Sequence, residues 1–315
     1  MKLRDYVQVN YDERKIVVFY RDGIRLENNE RNLKFINELI HGIDDDKIES
    51  EYSDYKRIIE LLEKHRFVTS YNENEEMNAP EQKLLWYLDQ FNENPNILLN
   101  KLNHAKVCIV GVGGIGGNIL QMLLSSGIKN YILIDFDVVE YHNLNRQYMY
   151  SIKDIGKIKT EVCKEKITEF DSSINCKAYN LKIGCKEDLT NLLKNDDIDV
   201  IVSAADTPYN IGAIIKEIAK EKKCAFSAGS LGIDLGQYIF ASSDQLENYI
   251  EGKPLDGMKG IDRKVIRGSF GPTNEIICSY MAMDIVYYII GQKTWSDGKT
   301  IFFDFLEKKV FSISN

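Results

Sequence analysis

The chain has 315 residues, a formal net charge of −8 and a hydrophobic content of 44%. This composition is typical of a globular protein, and the length allows two domains. The acidic balance argues against nucleic acid as a partner, because binding to its phosphates requires clustered lysine and arginine. No apolar run approaches the ~20 residues of a membrane span, and the start of the chain lacks a secretion signal. We therefore expect a cytoplasmic protein without a membrane partner.

The first 76 residues are predicted to form a small separate domain. Two short apolar strands flank Asp22-Gly23, a pair that typically supplies the positive φ of a tight hairpin turn. Apolar residues at helical spacing follow, in one helix that ends at Gly42 and in a second before a short extended end. A hairpin followed by helices predicts a winged-helix-like domain over residues 1–76.

Residues 77–100 are predicted to connect two domains. The polar and acidic stretch 72–80 is typical of a linker, and an amphipathic helix at 82–91 follows it. From residue 101 to residue 315, strands and helices alternate, which predicts an α/β domain with a mostly parallel sheet.

The end of the chain has a different pattern. The segments Thr300–Asp304 and Lys309–Ile313 alternate apolar and polar residues. This pattern predicts an antiparallel hairpin at one edge of the sheet.

The most informative stretch begins with the apolar strand 107–110, which leads into a glycine-rich loop. The glycines of interest are Gly111, Gly113, Gly114 and Gly116. Without side chains, they let backbone N–H groups approach a phosphate at a helix N-terminus. The next strand ends in Asp135-Phe-Asp137, where Asp135 is placed to accept hydroxyls of a ribose. This stretch therefore predicts a nucleotide site.

Polar and charged residues beyond that acid suit a triphosphate. They are Asn143, Arg146, Gln147, Lys159 at the start of a helix, and Asp206 after the apolar strand 200–203. Arg146 and Lys159 can neutralise a triphosphate whose leaving group is pyrophosphate, and Asp206 can hold a bridging Mg²⁺. Taken singly, Asp206 can instead cap the next helix and Lys159 can be a solvated surface charge. Together these residues predict attack at an α-phosphate.

In this order, the motifs resemble those of the ThiF/MoeB/ubiquitin-activating superfamily of adenylating enzymes, over about Lys101 to Gly291. The phrases 154–161 and 202–210 most resemble the MccB-like peptide adenylyltransferases. The N-terminal region resembles the PqqD-like element that captures precursor peptides in such pathways. The resemblance implies a Rossmann-like fold with antiparallel edge strands, an ATP-dependent adenylyltransferase that requires Mg²⁺, and a homodimer. It also implies a precursor peptide as substrate, in the biosynthesis of a peptide natural product.

The same resemblance implies roles for individual residues. The glycines, Asp135 and Asp137 would bind the nucleotide, with Asp135 on the ribose. Four further residues would bind the phosphates, namely Asn143, Arg146, Gln147 and Lys159. Asp206 would bind the magnesium ion.

The chain also departs from the superfamily pattern. Many relatives carry an arginine that reaches the ATP of a partner subunit, whereas the corresponding helix here offers Lys83 as the candidate substitute. The six cysteines include no C-x-x-C pair, so no structural zinc is expected, and no nucleophilic cysteine follows the adenylation core. These departures predict an acyl-adenylate or its phosphoramidate descendant as product, without an enzyme thioester.

Two other functions compete with this prediction. A non-catalytic docking protein would hold a precursor peptide for a partner enzyme, such as an azoline-forming cyclodehydratase, and would show no affinity for nucleotide. An NAD-dependent dehydrogenase follows from the glycine loop and Asp135 alone, but it does not require the Asn, Arg and Gln that come after them.

Overall fold

The computed structural model describes residues 1–70, 81–208, 210–246 and 268–314. The predicted linker stretch 72–80 lies outside the described residues. The chain divides into two compact units, Met1–Leu99 and Asn100–Asn315. In the part of the chain that the structure describes, no helix is both long and apolar enough to cross a membrane.

Antiparallel strands and short helices make up the first unit. Its strands, within the described residues, are β1 (Lys2–Leu3), β2 (Gln8–Tyr11), β3 (Lys15–Tyr20), β4 (Asp22–Glu27) and β5 (Val68–Thr69). Its helices, over the same residues, are α1 (Glu30–His41), α2 (Asp45–Glu51), α3 (Lys56–Lys64) and α4 (Gln82–Asp89). The strands β2, β3 and β4 form one antiparallel sheet, and β1 pairs with β5 in another. The predicted end of α1 at Gly42 is confirmed, with a φ of 96° at that glycine.

The first unit has a hydrophobic core of its own. The ring of Phe35 on α1 lies 4.8 Å from the rings of both Tyr52 and Tyr55. The side chains of Ile16 and Val18 on β3 are fully buried in the same cluster. A separate core is what an independently folding unit requires. The winged-helix-like and PqqD-like character of this unit stays a prediction.

The turn between β3 and β4 differs from the sequence prediction. We predicted the positive φ at Asp22-Gly23, and this is wrong. The residue with positive φ is Arg21, at 63°, because Tyr20 and Asp22 already pair across the two strands. Gly23 pairs with Phe19 inside the ladder.

The second unit alternates strands and helices. Its strands, within the described residues, are β6 (Lys106–Val110), β7 (Asn130–Asp135), β8 (Asn175–Asn180), β9 (Val200–Ser203), β10 (Ala225–Leu231), β11 (Leu235–Ala241), β12 (Thr300–Asp304) and β13 (Lys309–Ile313). Its helices, over the same residues, are α6 (Gly116–Ser125), α7 (Lys159–Phe170), α8 (Lys186–Leu192), α9 (Ile211–Lys222), α10 (Ser243–Leu246) and α11 (Gly271–Ile289). Helix α5 (Pro95–His104) contains the division between the units.

The eight strands form one sheet in the order β13-β12-β11-β10-β9-β6-β7-β8. The strands from β10 to β8 are parallel, and β11, β12 and β13 extend the sheet in antiparallel fashion. The predicted α/β class, the parallel sheet and the hairpin of β12 and β13 are confirmed. The parallel strands follow the 3-2-1-4-5 order of a Rossmann half, so the topology switches between β6 and β9. Ligands of such sheets bind beyond the carboxyl ends of the strands at that point.

Helices cover both faces of this sheet. Helix α11 packs on α6, β10 and β11, whereas α9 packs with α8, α10 and β9. Successive side chains of β11 point to opposite faces of the sheet. On one face, Phe240 contacts the ring of Tyr288 on α11, and on the other, Ile239 belongs to the cluster that contains Ile215 of α9. The sheet therefore lies between two layers of helices, and this packing fixes the positions of the strand ends.

Gly116 is required where α6 begins. A Cβ at this position would lie 1.8 Å from the carbonyl oxygen of Gly111 and 2.9 Å from the Cγ2 of Ile109. We expect Gly116→Ala to lower the free energy of unfolding by about 3 kcal/mol, because the clashing atoms belong to a packed strand and its loop. Urea unfolding would measure the loss. Gly184→Ala is the control, since its Cβ would come no closer than 3.5 Å to Asp188, and an equal loss there would contradict the packing argument.

Candidate active site

A cleft of about 820 Å³ lies at the carboxyl ends of β6, β7, β9 and β10. The sequence-predicted residues that line it are Gly111, Gly113, Gly114, Asp135, Asp137, Asn143, Arg146, Gln147, Lys159 and Asp206. Gly116 does not line the cleft, because it is buried at the start of α6. The fold therefore brings together residues that are up to 95 positions apart in the chain, from Gly111 to Asp206.

Asp135 organises the glycine loop. Its Oδ2 accepts a hydrogen bond from the N–H of Val112 at 2.7 Å, and its Oδ1 accepts one from the N–H of Asp137 at 2.8 Å. Gly111 has a φ of 90°, and a Cβ there would lie 2.5 Å from the carbonyl oxygen of Ala204. The loop after β6 thus lies directly against the loop after β9 and is fixed by a buried carboxylate.

Arg146 lies beside the glycine loop. The position that a Cβ of Gly114 would occupy is 3.5 Å from the Cγ of Arg146. The guanidinium donates to the carbonyl oxygen of His142 at 3.2 Å and to the Oδ1 of Asn145 at 2.9 Å. These are exposed contacts, so the side chain is free to exchange them for an anionic ligand in the cleft.

Lys159 is buried and is not a solvated surface charge. It is 4% exposed and is the first residue of α7, where the helix dipole also favours anions. Its Nζ lies 3.0 Å from the Oδ2 of Asp137, and its backbone N–H donates to the Asp137 carbonyl oxygen, also at 3.0 Å. The two residues therefore form a fixed pair at the cleft wall.

Asp206 lies in the exposed loop after β9. It does not cap the next helix, since α9 begins at Ile211 with Asn210 as N-cap. Gln147 is 4% exposed, and its Oε1 has no hydrogen-bond partner within the described residues. The Oδ1 of Asn143 accepts from the N–H of Glu140 at 3.0 Å, which closes the short helix that precedes Arg146.

The charges of the cleft are unbalanced. Of the described residues that line it, the acidic ones are Asp135, Asp137, Glu140 and Asp206, and the arginine and lysine residues are Arg146 and Lys159. Among the described residues, in the cleft and elsewhere, no group of three or more His, Cys, Asp or Glu side chains is arranged to hold a metal ion. Magnesium commonly binds through one or two carboxylates together with substrate phosphates. The exposed carboxylate of Asp206 fits an ion of that kind.

A family model described as "ThiF family" matches residues 87–315, which include the whole cleft. The chain belongs to the ThiF family. This confirms the family prediction made from the motifs. The match contains the loop after β6, the acid at the end of β7 and the Arg146 segment, so the residues that build the cleft are part of the family domain.

Curated relatives of this ThiF-family chain match over limited stretches. The SUMO-activating enzyme subunit 2 of Dictyostelium discoideum is 31% identical over 34% of this chain and 16% of its own length. The adenylyltransferase and sulfurtransferase UBA4 of Candida glabrata is 28% identical, over 42% and 30%. The sulfur carrier protein adenylyltransferase of Thermus thermophilus is 30% identical, over 34% and 38%. The matches thus span well under half the length of these relatives.

Solved structures of MccB from E. coli resemble the chain over nearly its full length. MccB with succinimide is 25% identical with a TM-score of 0.83, and MccB with ATP is 23% identical with a TM-score of 0.80. The microcin C7 biosynthetic enzyme MccB with N-formylated MccA is 24% identical with a TM-score of 0.82. Each match covers 99% of this chain and 96% of the other. The predicted resemblance to MccB is therefore confirmed at the level of the fold.

Some cleft residues of the ThiF-family domain were not predicted from the sequence. Phe136, Leu181 and Ile183 form an apolar part of the lining. Ser269, which precedes α11, and Asn274 in the first turn of that helix are also part of it. The polar pair lies more than 100 positions from the glycine loop in the chain. No motif includes either residue, so residue type and spacing gave no signal for them.

The loop that precedes Lys159 depends on a buried carboxylate. Asp154 is 6% exposed, accepts from the N–H and hydroxyl of Ser151 and lies 3.2 Å from the Nζ of Lys157 and 3.4 Å from that of Lys166. Burial by itself raises the pKa of Asp154, but the Ser151 hydrogen bonds and the two lysines outweigh it and hold the pKa well below its ordinary value. Asp154 therefore stabilises the loop in its ionised form.

This ionised carboxylate predicts a pH-dependent stability. Because the pKa of Asp154 is lower in the folded than in the unfolded state, its contribution is complete above about pH 4 and declines as the pH falls further. We expect Asp154→Asn to lower the free energy of unfolding by about 1–3 kcal/mol at pH 7, and by less at pH 3. Urea unfolding at both pH values would measure this. The exposed Asp197→Asn is the control, and a pH-independent loss for Asp154→Asn would contradict the assignment.

Proposed function

We propose that this protein is an ATP-dependent adenylyltransferase that activates the C-terminal carboxylate of a ribosomal precursor peptide and releases pyrophosphate. The observation that carries the proposal is the cleft at the switch point of the parallel sheet, where the glycine loop, Arg146, Lys159 and Asp206 meet. Two of the relatives named above are adenylyltransferases, and one MccB structure contains ATP.

The lining of the cleft suits each part of the nucleotide. The apolar side chains of Phe136, Leu181 and Ile183 offer a surface for the flat base. Asp135 retains free lone pairs beyond its two backbone hydrogen bonds and can accept from a ribose hydroxyl. At the start of α6, the N–H groups of Gly113 and Gly114 would bind the phosphates, whereas those of Gly111 and Val112 already donate to the carbonyl oxygen of Ile134 and to Asp135. Asp137, paired with Lys159, holds that lysine at the wall of the cleft.

Cationic side chains would act on the leaving group. When the peptide carboxylate attacks the α-phosphate, negative charge grows on the departing pyrophosphate, and Arg146 and Lys159 would neutralise it. Gln147 and Asn143 would orient the phosphates through their amide N–H groups. No general base is required, because a C-terminal carboxyl has a reference pKa of about 3.5 and is already ionised at pH 7.

Magnesium fits the same site. A Mg²⁺ ion that enters with ATP would be held by Asp206 and would supply positive charge to the phosphates. The acidic excess among the described lining residues supports this, since an unaccompanied triphosphate would meet carboxylates as well as cations.

The cysteines support a reaction without an enzyme thioester. Burial raises the pKa of the thiols of Cys163 and Cys224 to about 12 and that of Cys176 to about 11. The pKa of the exposed Cys185 is also raised, mainly by its hydrogen bond to Glu187. Thiolates are the reactive form, so none of these thiols is activated for attack. The acyl-adenylate, or a phosphoramidate formed from it, is then the product.

The peptide would bind to the first unit by adding a strand. In the described part of the chain, β2 and β4 each pair with β3 on one side only, and a strand edge of this kind can accept an extended peptide. The likeness to MccB, which was solved with MccA, supports a peptide partner and a role in the biosynthesis of a peptide antibiotic. The division 1–76, 77–100 and 101–315 remains our proposal for recognition domain, connector and adenylation domain.

The cellular location and the oligomeric state belong to the same proposal. The cysteines are all free thiols, which is typical of a cytoplasmic protein. A homodimer would let Lys83, whose Nζ lies 4.4 Å over the ring of Trp86, serve the ATP of a partner subunit in place of the arginine of many relatives.

Mass spectrometry tests the proposed reaction. The protein, ATP and Mg²⁺ would be incubated with the peptide encoded by a short open reading frame beside its gene. The expected result is a peptide that carries one added AMP, with pyrophosphate released in equal amount. A protein that binds the peptide but shows no affinity for ATP would overturn the proposal and favour the non-catalytic docking alternative.

A further inference from the structure

A buried amide on α6 holds the backbone of the Arg146 segment. Asn118 is 1% exposed. Its Nδ2 donates to the carbonyl oxygen of Arg146 at 2.9 Å, and its Oδ1 accepts from the N–H of Tyr148 at 3.2 Å. The amide nitrogen and the amide oxygen therefore both bond to residues that flank Gln147. A buried amide is costly unless its groups are paired, and here both are paired with this one segment.

The position of Asn118 connects two parts of the cleft. Helix α6 starts at Gly116, directly after the glycine loop, so Asn118 is rigidly joined to that loop. On the other side, the N–H groups of Arg146 and Gln147 both bond to the carbonyl oxygen of Asn143, at 3.1 Å and 3.0 Å, which fixes the segment at its start only. The bonds from Asn118 fix its far end to α6, next to the bond that the Tyr150 hydroxyl donates to the carbonyl oxygen of Val112 at 2.6 Å. Asn118 itself is not among the described residues that line the cleft.

We propose that Asn118 is a positioning residue for the triphosphate. Its amide sets the distance between phosphates held at the glycine loop and the side chains of Arg146 and Gln147. This inference rests on the proposed function, because it requires that the cleft binds ATP. Asn118 would affect ATP binding only by holding Arg146 and Gln147 in place, since its side chain bonds to their segment and is not part of the cleft lining.

A thermodynamic cycle with nucleotide affinities tests the inference. Asn118→Ala is expected to weaken binding of Mg·ATP about 10-fold, the effect of two lost hydrogen bonds, and to leave the affinity for AMP unchanged. AMP lacks the β- and γ-phosphates that the positioned side chains would contact. In an Arg146→Ala, Gln147→Ala background, adding Asn118→Ala is expected to cause no further loss, because residues that act through one another are not additive. Isothermal titration calorimetry would give all the affinities.

Two further variants separate the loss of the Asn118 amide from general effects of a substitution. Asn118→Leu keeps the branching and the number of heavy atoms of asparagine but has no hydrogen-bonding groups, so it should show the same loss for Mg·ATP. Asn130→Ala removes another amide that donates to a backbone carbonyl, that of Asn103 at 2.9 Å, at the end of β7 opposite Asp135, and should bind Mg·ATP like the parent.

The outcomes separate the inference from the proposed function. Parent-like ATP affinity in both Asn118 variants, an equal loss of AMP affinity, or a full additional loss in the background without Arg146 and Gln147 would overturn the positioning role. A parent protein with no affinity for Mg·ATP would overturn the proposed function, and the inference with it.

Discussion

Replacing Arg146 with alanine is expected to slow transfer of AMP to the peptide by about 10²- to 10³-fold while the protein stays folded. The reason is that the guanidinium would contact the phosphates of bound ATP and act most strongly on the charge that develops as pyrophosphate leaves, so its loss lowers the rate more than the affinity for ATP. The fold should tolerate the change, since the side-chain contacts of Arg146 to His142 and Asn145 are exposed.

Pyrophosphate release in the presence of the peptide would measure this effect. Arg146→Lys should recover part of the rate, because lysine keeps the charge and loses the planar fork. Lys153→Ala removes an exposed cation nearby that is not among the described residues lining the cleft, and should keep the parent rate. A parent rate for Arg146→Ala would remove this residue from the proposed chemistry.

Asp206→Asn is expected to abolish the dependence of ATP binding on magnesium and to lower turnover about 10²-fold. An amide keeps the size of the side chain but lacks the charge that holds a divalent ion next to the phosphates. Since Asp206 is exposed and does not cap α9, stability should be unchanged. Calorimetric titration of ATP with and without Mg²⁺ would measure the difference between parent and variant.

The control for this prediction is another exposed carboxylate. Asp197→Asn lies away from the cleft lining that the structure describes and should retain the magnesium dependence of the parent. If Asp206→Asn also retained it, the ion would have to be held by other groups, and the role given to Asp206 would be wrong.

The sequence predicted the parts of the fold whose pattern is local. The strands β6 and β9 are buried on both faces and therefore appear as continuous apolar runs, and the β12–β13 hairpin appears as an alternation. Strand β8 was not predicted, because it lies at the sheet edge and its sequence is mostly polar. Strand β11 was not predicted either. Its buried residues pack on α11 and on the cluster that contains α9, and these contacts with other elements are not visible in the local sequence pattern.

The candidate site divides in the same way. Three of the glycines, Asp135, Arg146 and Lys159 are parts of short motifs, so residue type and spacing were enough to predict that they belong to one site, and they line the same cleft. Asn118 and Asn274 could not, because an asparagine inside a helix belongs to no motif, and only the packed structure gives it a partner. The positive φ at Arg21 was missed for a similar reason, since strand register overrode the usual preference of Asp-Gly.

A crystal structure with a non-hydrolysable α,β-methylene analogue of ATP and Mg²⁺ tests the central claim most directly. We expect the phosphates at Gly113 and Gly114, the ion on Asp206, and Arg146 and Lys159 turned to the pyrophosphate part. An empty cleft at saturating analogue, or a nucleotide bound with its phosphates away from Arg146 and Lys159, would contradict the account.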